Sequence, residues 1–199
     1  MKLEIGSGDN PTEGYEHLDI NPNAPHVEYV GDIRALLSKD YNIDHYPDLK
    51  LLREQKFEVI KATHVIEHVQ WIYQDVLFAL LYDLLDAKGL LCLETPDLKW
   101  IAKSYLKNIS KKRFPITEHP DLTEDKNALQ FYKWINFKLY SGCSPGDYHH
   151  CCYDKEFLTE LLLLAGFDSL SIKARGGTLS GIARKLDKAE DKESEYFNP

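Results

Sequence analysis

The sequence predicts an α/β fold built on a mostly parallel sheet, and three observations carry that expectation. Short apolar runs alternate with stretches of helical spacing, the pattern left by parallel strands joined through helices. Glycine or acidic residues break the first runs at their carboxyl ends, where open sheets of this kind bind ligands. The last two runs meet across Gly176-Gly177, which reads as a hairpin and makes the final strand antiparallel.

Taken in order, Lys2 to Ile5 reads as the first strand, ended by Gly6, with Glu16 to Ile20 the second and Val27 to Val30 the third. A short helix is expected at Ile33 to Leu37, and loop plus helix over 45–56. Phe57 to Ala62 reads as a buried fourth strand. Between Val69 and Ala87, Ile72, Val76, Leu77, Leu80, Leu81 and Leu84 recur at three-to-four spacing, which predicts an amphipathic helix with Gly89 as its stop. Leu90 to Thr95 is the fifth strand, ended by Pro96, and 97–107 reads as helical. An insertion at about 108–150 follows, rich in Pro, His and aromatics, with a possible helix from Phe131 to Tyr140. Asp154 to Ala165 predicts a helix stopped by Gly166, and Phe167 to Ala174 and Thr178 to Leu186 the last two strands. Residues 1–186 are thus expected to form one domain, with 187–199 a frayed charged tail.

Composition narrows the function. With 32 acidic against 24 basic residues, the formal charge of -8 repels a phosphate backbone and disfavours nucleic-acid partners. The basic run at 103–113 reads as a solvated helix face and loop. No apolar stretch reaches the roughly 20 residues of a membrane span, and no secretory signal pattern opens the chain. The irregular spacing of Cys92, Cys143, Cys151 and Cys152 implies no disulfide framework, so a cytoplasmic setting is expected.

Candidate site residues sit at strand ends. Gly6-Ser7-Gly8 lets backbone approach a ligand closely. Asp19, before Ile20, ends the second strand with a carboxylate able to accept from two vicinal ribose hydroxyls. Asp32, before Ile33, ends the third beside an apolar residue, a pair suited to an adenine ring. Alone, each acid is an ordinary helix N-cap or solvated loop residue; their joint placement at successive strand ends is what points to a ligand.

The runs Leu3-Glu4-Ile5-Gly6-Ser7-Gly8, Leu18-Asp19-Ile20, Gly31-Asp32-Ile33 and Ala62-Thr63-His64-Val65-Ile66-Glu67-His68-Val69 resemble the motif series of class I S-adenosylmethionine (SAM)-dependent methyltransferases. The last run is similar to a small methyltransferase-type-11-like branch that includes ubiquinone-biosynthesis-like enzymes, and the resemblance covers roughly 2–102 and 150–186. It implies a Rossmann-like three-layer sandwich with SAM as cofactor. It places Gly6, Ser7 and Gly8 at the methionine part with Glu4 nearby, Asp19 and Ile20 at the ribose, Asp32 and Ile33 at the adenine, and Thr63 and His64 beside the sulfonium and acceptor. Two departures stand out: position 10 is Asn where a third glycine is usual, and only residues 9–15 separate the loop from the second strand. A parallel crossover normally takes a dozen or more residues, so the first helix is expected to be one turn or absent. The same shortness argues against a dinucleotide enzyme, which needs a helix N-terminus for pyrophosphate.

Methyl transfer from a sulfonium is an in-line displacement in which positioning and desolvation supply most of the rate, and it needs no metal in principle. A hydroxyl or ammonium acceptor must lose a proton, and His64 is the candidate base, with His68 one turn on. His149-His150-Cys151-Cys152, with Cys143, holds zinc ligand types, but adjacent residues project differently and no Cys-x-x-Cys is present. The cluster is expected instead to fold over the strand ends and offer His149, His150 or Tyr148 to the acceptor, with Trp134, Phe137 and Tyr140 packing the insertion onto the sheet. The expected activity is methylation of a hydroxyl or amino group of a small molecule or glycan. The rivals are a non-catalytic cofactor-binding partner subunit and a nucleic-acid or protein methyltransferase.

Overall fold

The structure, a computed structural model, describes residues 1–38, 43–111, 135–141 and 148–186. Phe131, Tyr132, Trp134, Cys143, the end of the basic run and the 187–199 tail lie outside the described residues. Seven strands form one sheet: β1 (Lys2–Ile5), β2 (Glu16–Asp19), β3 (Tyr29–Val30), β4 (Phe57–Thr63), β5 (Leu85–Pro96), β6 (Phe167–Arg175) and β7 (Thr178–Lys185). Their order is β3-β2-β1-β4-β5-β7-β6, parallel from β3 to β5 and antiparallel where β7 pairs with β5 and β6. This is the Rossmann-like α/β sandwich expected. Among the described residues, four α-helices of seven residues or more accompany the sheet: α1 (Pro47–Arg53), α2 (Gln74–Leu84), α3 (Leu98–Lys111) and α4 (Lys155–Leu164). Among the described residues, no helix is long and apolar enough to cross a membrane.

The core follows from strand alternation. Leu3 and Ile5 of β1, Ile60 and Ala62 of β4, and Leu91 and Leu93 of β5 are buried side by side with Leu18 of β2. Asp154 caps α4 by accepting from Phe157 N at 2.8 Å. Gly176 and Gly177, at φ +60 and +91, supply the left-handed pair that a two-residue hairpin with the strands' own twist requires.

The link from β1 to β2 contains no helix at all: residues 6–15 are turns. A polar clamp holds it instead. Glu4, buried in the middle of β1, accepts from Thr12 N and Thr12 Oγ1, both at 2.7 Å, and from Lys61 Nζ of β4 at 2.7 Å. Lys61 Nζ also donates to Thr12 Oγ1 at 2.6 Å, and His17 Nε2 lies 3.0 Å from Thr12 O. Burial alone would raise the Glu4 pKa, but these hydrogen bonds outweigh it and hold the carboxyl below its ordinary value.

Two expectations are corrected here. The helix expected over 69–87 is shorter: α2 ends at Leu84, Leu85 is already extended, and β5 starts there. Gly89 is therefore not a helix stop. It lies in a bulge between Leu85, paired with Phe57, and Leu90, paired with Val59. The buried face of α2 is Leu77, Phe78, Leu81 and Leu84, while Ile72 and Val76 are exposed. In the insertion, 135–140 is helical and packs on α3 through Ile135 and Leu139 against Ile101, Trp100 and Tyr105, and Tyr140 is exposed.

Candidate functional site

The carboxyl ends of β1, β2 and β4, with the turns after β3 and β4, enclose a cavity of about 510 Å³. It lies at the switch point of the sheet, where β2 continues on one side of β1 and β4 on the other. Gly6 forms its floor. Its φ is +69, and a Cβ there would stand 2.6 Å from Val65 Cγ2, so only glycine lets β1 end against the turn that follows β4.

Asp19 is buried at the next strand end and ties the two sides of the cavity together. Its Oδ2 accepts from Gly8 N at 2.9 Å and its Oδ1 from Asn21 N at 2.8 Å. An ionised carboxylate offers about four lone-pair sites, so capacity for two more donors remains. Asp32 differs. Its Oδ1 accepts from Arg34 N and Nε at 2.9 Å, and its Oδ2 from Nε at 2.9 Å and Nη2 at 2.6 Å. Arg34 N, Nε and Nη2 engage both oxygens, and the Asp32 carboxylate so caps the 3-10 turn Ile33–Leu36 and forms a mostly buried ion pair.

On the opposite wall His64 follows β4 with φ +55, a conformation that costs a non-glycine residue about 1 kcal/mol or more and recurs at functional sites. Its Nδ1 donates to Glu67 Oε1 at 3.0 Å, and its backbone N donates to Glu94 O at 2.8 Å. The Glu67 hydrogen bond raises the His64 pKa, desolvation opposing it. Glu67 has no exposed surface; its Oε2 accepts from Thr95 Oγ1 at 3.1 Å, and its backbone O accepts from His150 N at 2.7 Å and Cys151 N at 3.1 Å. Gln74 Nε2 fixes the turn Ile66–His68 from below by donating to Ile66 O at 3.1 Å and Val69 O at 2.8 Å, with buried Tyr153 Oη against Gln74 Oε1.

Of the residues expected at the site, Gly6, Gly8, Asp19, Ile20, Asp32, Ile33 and His64 line the cavity. Glu4, Ser7, Thr63, His149 and His150 are not among its lining. Glu4 alternates with Ile5 along β1, so its side chain goes to the clamp while Ile5 faces the cavity. Ser7 is buried, its hydroxyl without a hydrogen-bond partner. Thr63 is the last paired residue of β4, opposite Glu94. His149 sets its ring edge-on to His68, centroids 4.9 Å apart, and lines a second, much smaller pocket. His150 is exposed; desolvation lowers its pKa, with the charges of Arg34 and His68 adding to the effect.

Arg34, Val65, His68 and Val69 also line it, with Ile5, Leu18 and Gly31. Of these, Arg34 carried no sequence signal, since a pair two residues apart is not a helical spacing. The buried acceptor Glu67 had one that went unused: an acid inside the apolar run Val65-Ile66-Glu67 has to find partners if that run is buried.

No protein-family model matches the chain, and neither does any curated protein. Solved structures do. A SAM-dependent methyltransferase from Archaeoglobus fulgidus superposes with TM-score 0.54 at 16% identity, over 92% of this chain and 85% of that one. A SAM-dependent methyltransferase from Methanosarcina mazei gives 0.52 at 17%, over 94% and 92%. Human N-acetylserotonin methyltransferase in complex with SAM gives 0.51 at 11%, over 93% of this chain and 47% of its own length. The chain therefore has the class I fold of these proteins, spanning most of the two archaeal chains and about half of the human one.

Proposed function

We propose that this chain is a SAM-dependent methyltransferase acting on a hydroxyl or amino group of a small molecule or glycan. The observation that carries this reading is the cavity at the sheet's switch point, which offers Asp19 to a ribose and has no helix N-terminus after β1 for a pyrophosphate. A phosphate-free adenosyl ligand suits such a site; a dinucleotide does not. At about 510 Å³ the cavity is within the usual range for small-ligand sites.

The residues present fit SAM in composition. Gly6 and Gly8 supply close backbone for the methionine end, and Asp19 keeps lone pairs for the ribose hydroxyls. Ile20, Ile33, Val65 and Val69 supply apolar wall for the adenine. A direct contact from Asp32 to the adenine amino group competes with Arg34, whose N, Nε and Nη2 already engage that carboxylate. When bound, SAM supplies a methyl group on an already activated sulfonium. The chain's own task is to orient the acceptor, exclude water and take up its proton. Glu67 holds the proton on Nδ1 of His64, which makes Nε2 the basic nitrogen at the cavity wall.

Calorimetry with SAM and its demethylated product tests the first half, and no binding of either overturns the reading. Labelled SAM incubated with the protein and fractionated cell extract tests the second. Label in a low-molecular-weight or glycan fraction is the expected result. Binding without transfer to any fraction would favour a cofactor-binding partner subunit, and label in RNA or protein one of the macromolecular rivals.

A further inference from the structure

Next to the cavity, a second constellation shares Glu67 with the methyl-transfer reading and adds His68 and His149 to it. One ligand atom each from Glu67, His68 and His149 lie within 4.8 Å of one another, and among the described residues this is the one His, Cys, Asp and Glu group that close. We propose that these three residues bind a single divalent first-row transition ion of the zinc type.

Three features of the chain support a built site. First, the donor set is two imidazoles and a carboxylate, the nitrogen and oxygen mixture that zinc takes in three-ligand sites with an open fourth position. Second, His68 Nδ1 lies 3.2 Å from Tyr148 O, and a carbonyl can only accept, so Nδ1 carries the proton and Nε2 the lone pair. An outer hydrogen bond from the other ring nitrogen to a carbonyl is the usual support of a ligating histidine. Third, the two segments that bring the ligands are pinned together: Glu67 O accepts from both His150 N and Cys151 N, and His149 N donates to Tyr140 O at 2.9 Å. Two ligands on one tetrahedral zinc stand about 3.4 Å apart. Both imidazoles are only partly buried, so side-chain rotation can close the remaining gap.

Glu67 can serve both neighbours, since Oε1 keeps His64 Nδ1 while the carboxylate retains further lone pairs. The cysteines beside His149 are not part of the group. Cys151 is buried, and the nearest acceptors of the Cys151 and Cys152 thiols are backbone carbonyls. The histidine-cysteine run of the sequence thus separates in space, and His149 alone joins a site with Glu67 and His68.

The proposal stands apart from what occupies the cavity, and its test needs no activity. The full chain is stripped with a chelator, then titrated with Zn²⁺ by calorimetry and with Co²⁺ by absorption. One ion per chain is expected, with a cobalt spectrum lacking a thiolate charge-transfer band. His149→Ala and His68→Ala should each weaken binding by at least about tenfold, while Cys152→Ser leaves it unchanged. Circular dichroism confirms that each variant is folded; His149, the more peripheral, keeps the test valid if His68→Ala fails. Absence of binding to the wild-type chain overturns the proposal. So does unchanged affinity in His149→Ala, or a thiolate band that Cys152→Ser removes.

Discussion

Glu67 Oε1 lies 3.0 Å from His64 Nδ1, and the carboxylate that makes this contact has no exposed surface. Glu67→Ala would leave the His64 N–H and the buried Thr95 hydroxyl without their acceptor, at about 1–3 kcal/mol for the hydroxyl and less for the half-exposed imidazole. Glu67→Gln keeps the shape and loses the charge, and should cost less. Urea unfolding of both variants measures this. Equal stability of Glu67→Ala and wild type would show that the contact contributes nothing. With an acceptor in hand, Glu67→Gln should lower the transfer rate at least about tenfold while binding of the demethylated cofactor stays nearly constant.

Asp19 joins Gly8 N to Asn21 N at the end of β2. Asp19→Ala removes both bonds and the proposed ribose acceptor, and hydrogen bonds to charged groups are worth about 1.5–3 kcal/mol each. Calorimetry should show cofactor affinity falling by roughly tenfold to a few hundredfold. Asp19→Asn, which keeps one acceptor oxygen, should fall in between.

Arg34 and Asp32 should behave as one unit. Arg34→Ala leaves a mostly buried carboxylate unpaired, and Asp32→Ala leaves the guanidinium and the turn at Ile33–Leu36 uncapped. A double-mutant cycle on stability should give a coupling of about 1–3 kcal/mol. Additive losses would mean the pair is not formed in solution, and would reopen Asp32 as a ligand contact.

The clamp at Glu4 makes stability acid-sensitive in a defined direction. Its folded-state pKa is depressed below the ordinary 4.5, so the stabilisation is complete above that value and is lost as pH falls through the folded pKa. Glu4→Gln should therefore be less stable than wild type at neutral pH, and the two should converge as pH falls through the depressed folded value. Thermal melts across pH 3 to 7 check this; parallel curves would contradict it.

Much of the fold was legible because short strand-patterned runs between turn signals leave one reading each: β1, β4 and the β6–β7 hairpin lie where the sequence puts them. The end of α2 was not, because Leu84-Leu85 continues the helical spacing while Leu85 is claimed by Phe57 across the sheet. At the site, strand-end residues such as Gly6, Asp19 and His64 reach the cavity because the sheet brings the carboxyl ends of its parallel strands together. Glu4 does not, since one step along a strand reverses the face. The Arg34–Asp32 pair depends on a turn that no periodicity announces, and apart from His64 the partners of Glu67 lie 28 and more residues away.

The link between β1 and β2 is held at one end by Glu4 on Thr12 and at the other by Asp19 on Gly8. Ligand binding and loop order on such a tether are reciprocally coupled, because whatever favours the ordered loop favours the ligand by the same factor. An occupied cavity should therefore protect the Glu4 clamp against acid. Conversely, a lesion at Thr12 or Lys61, neither of which lines the cavity, should weaken a ligand they never touch.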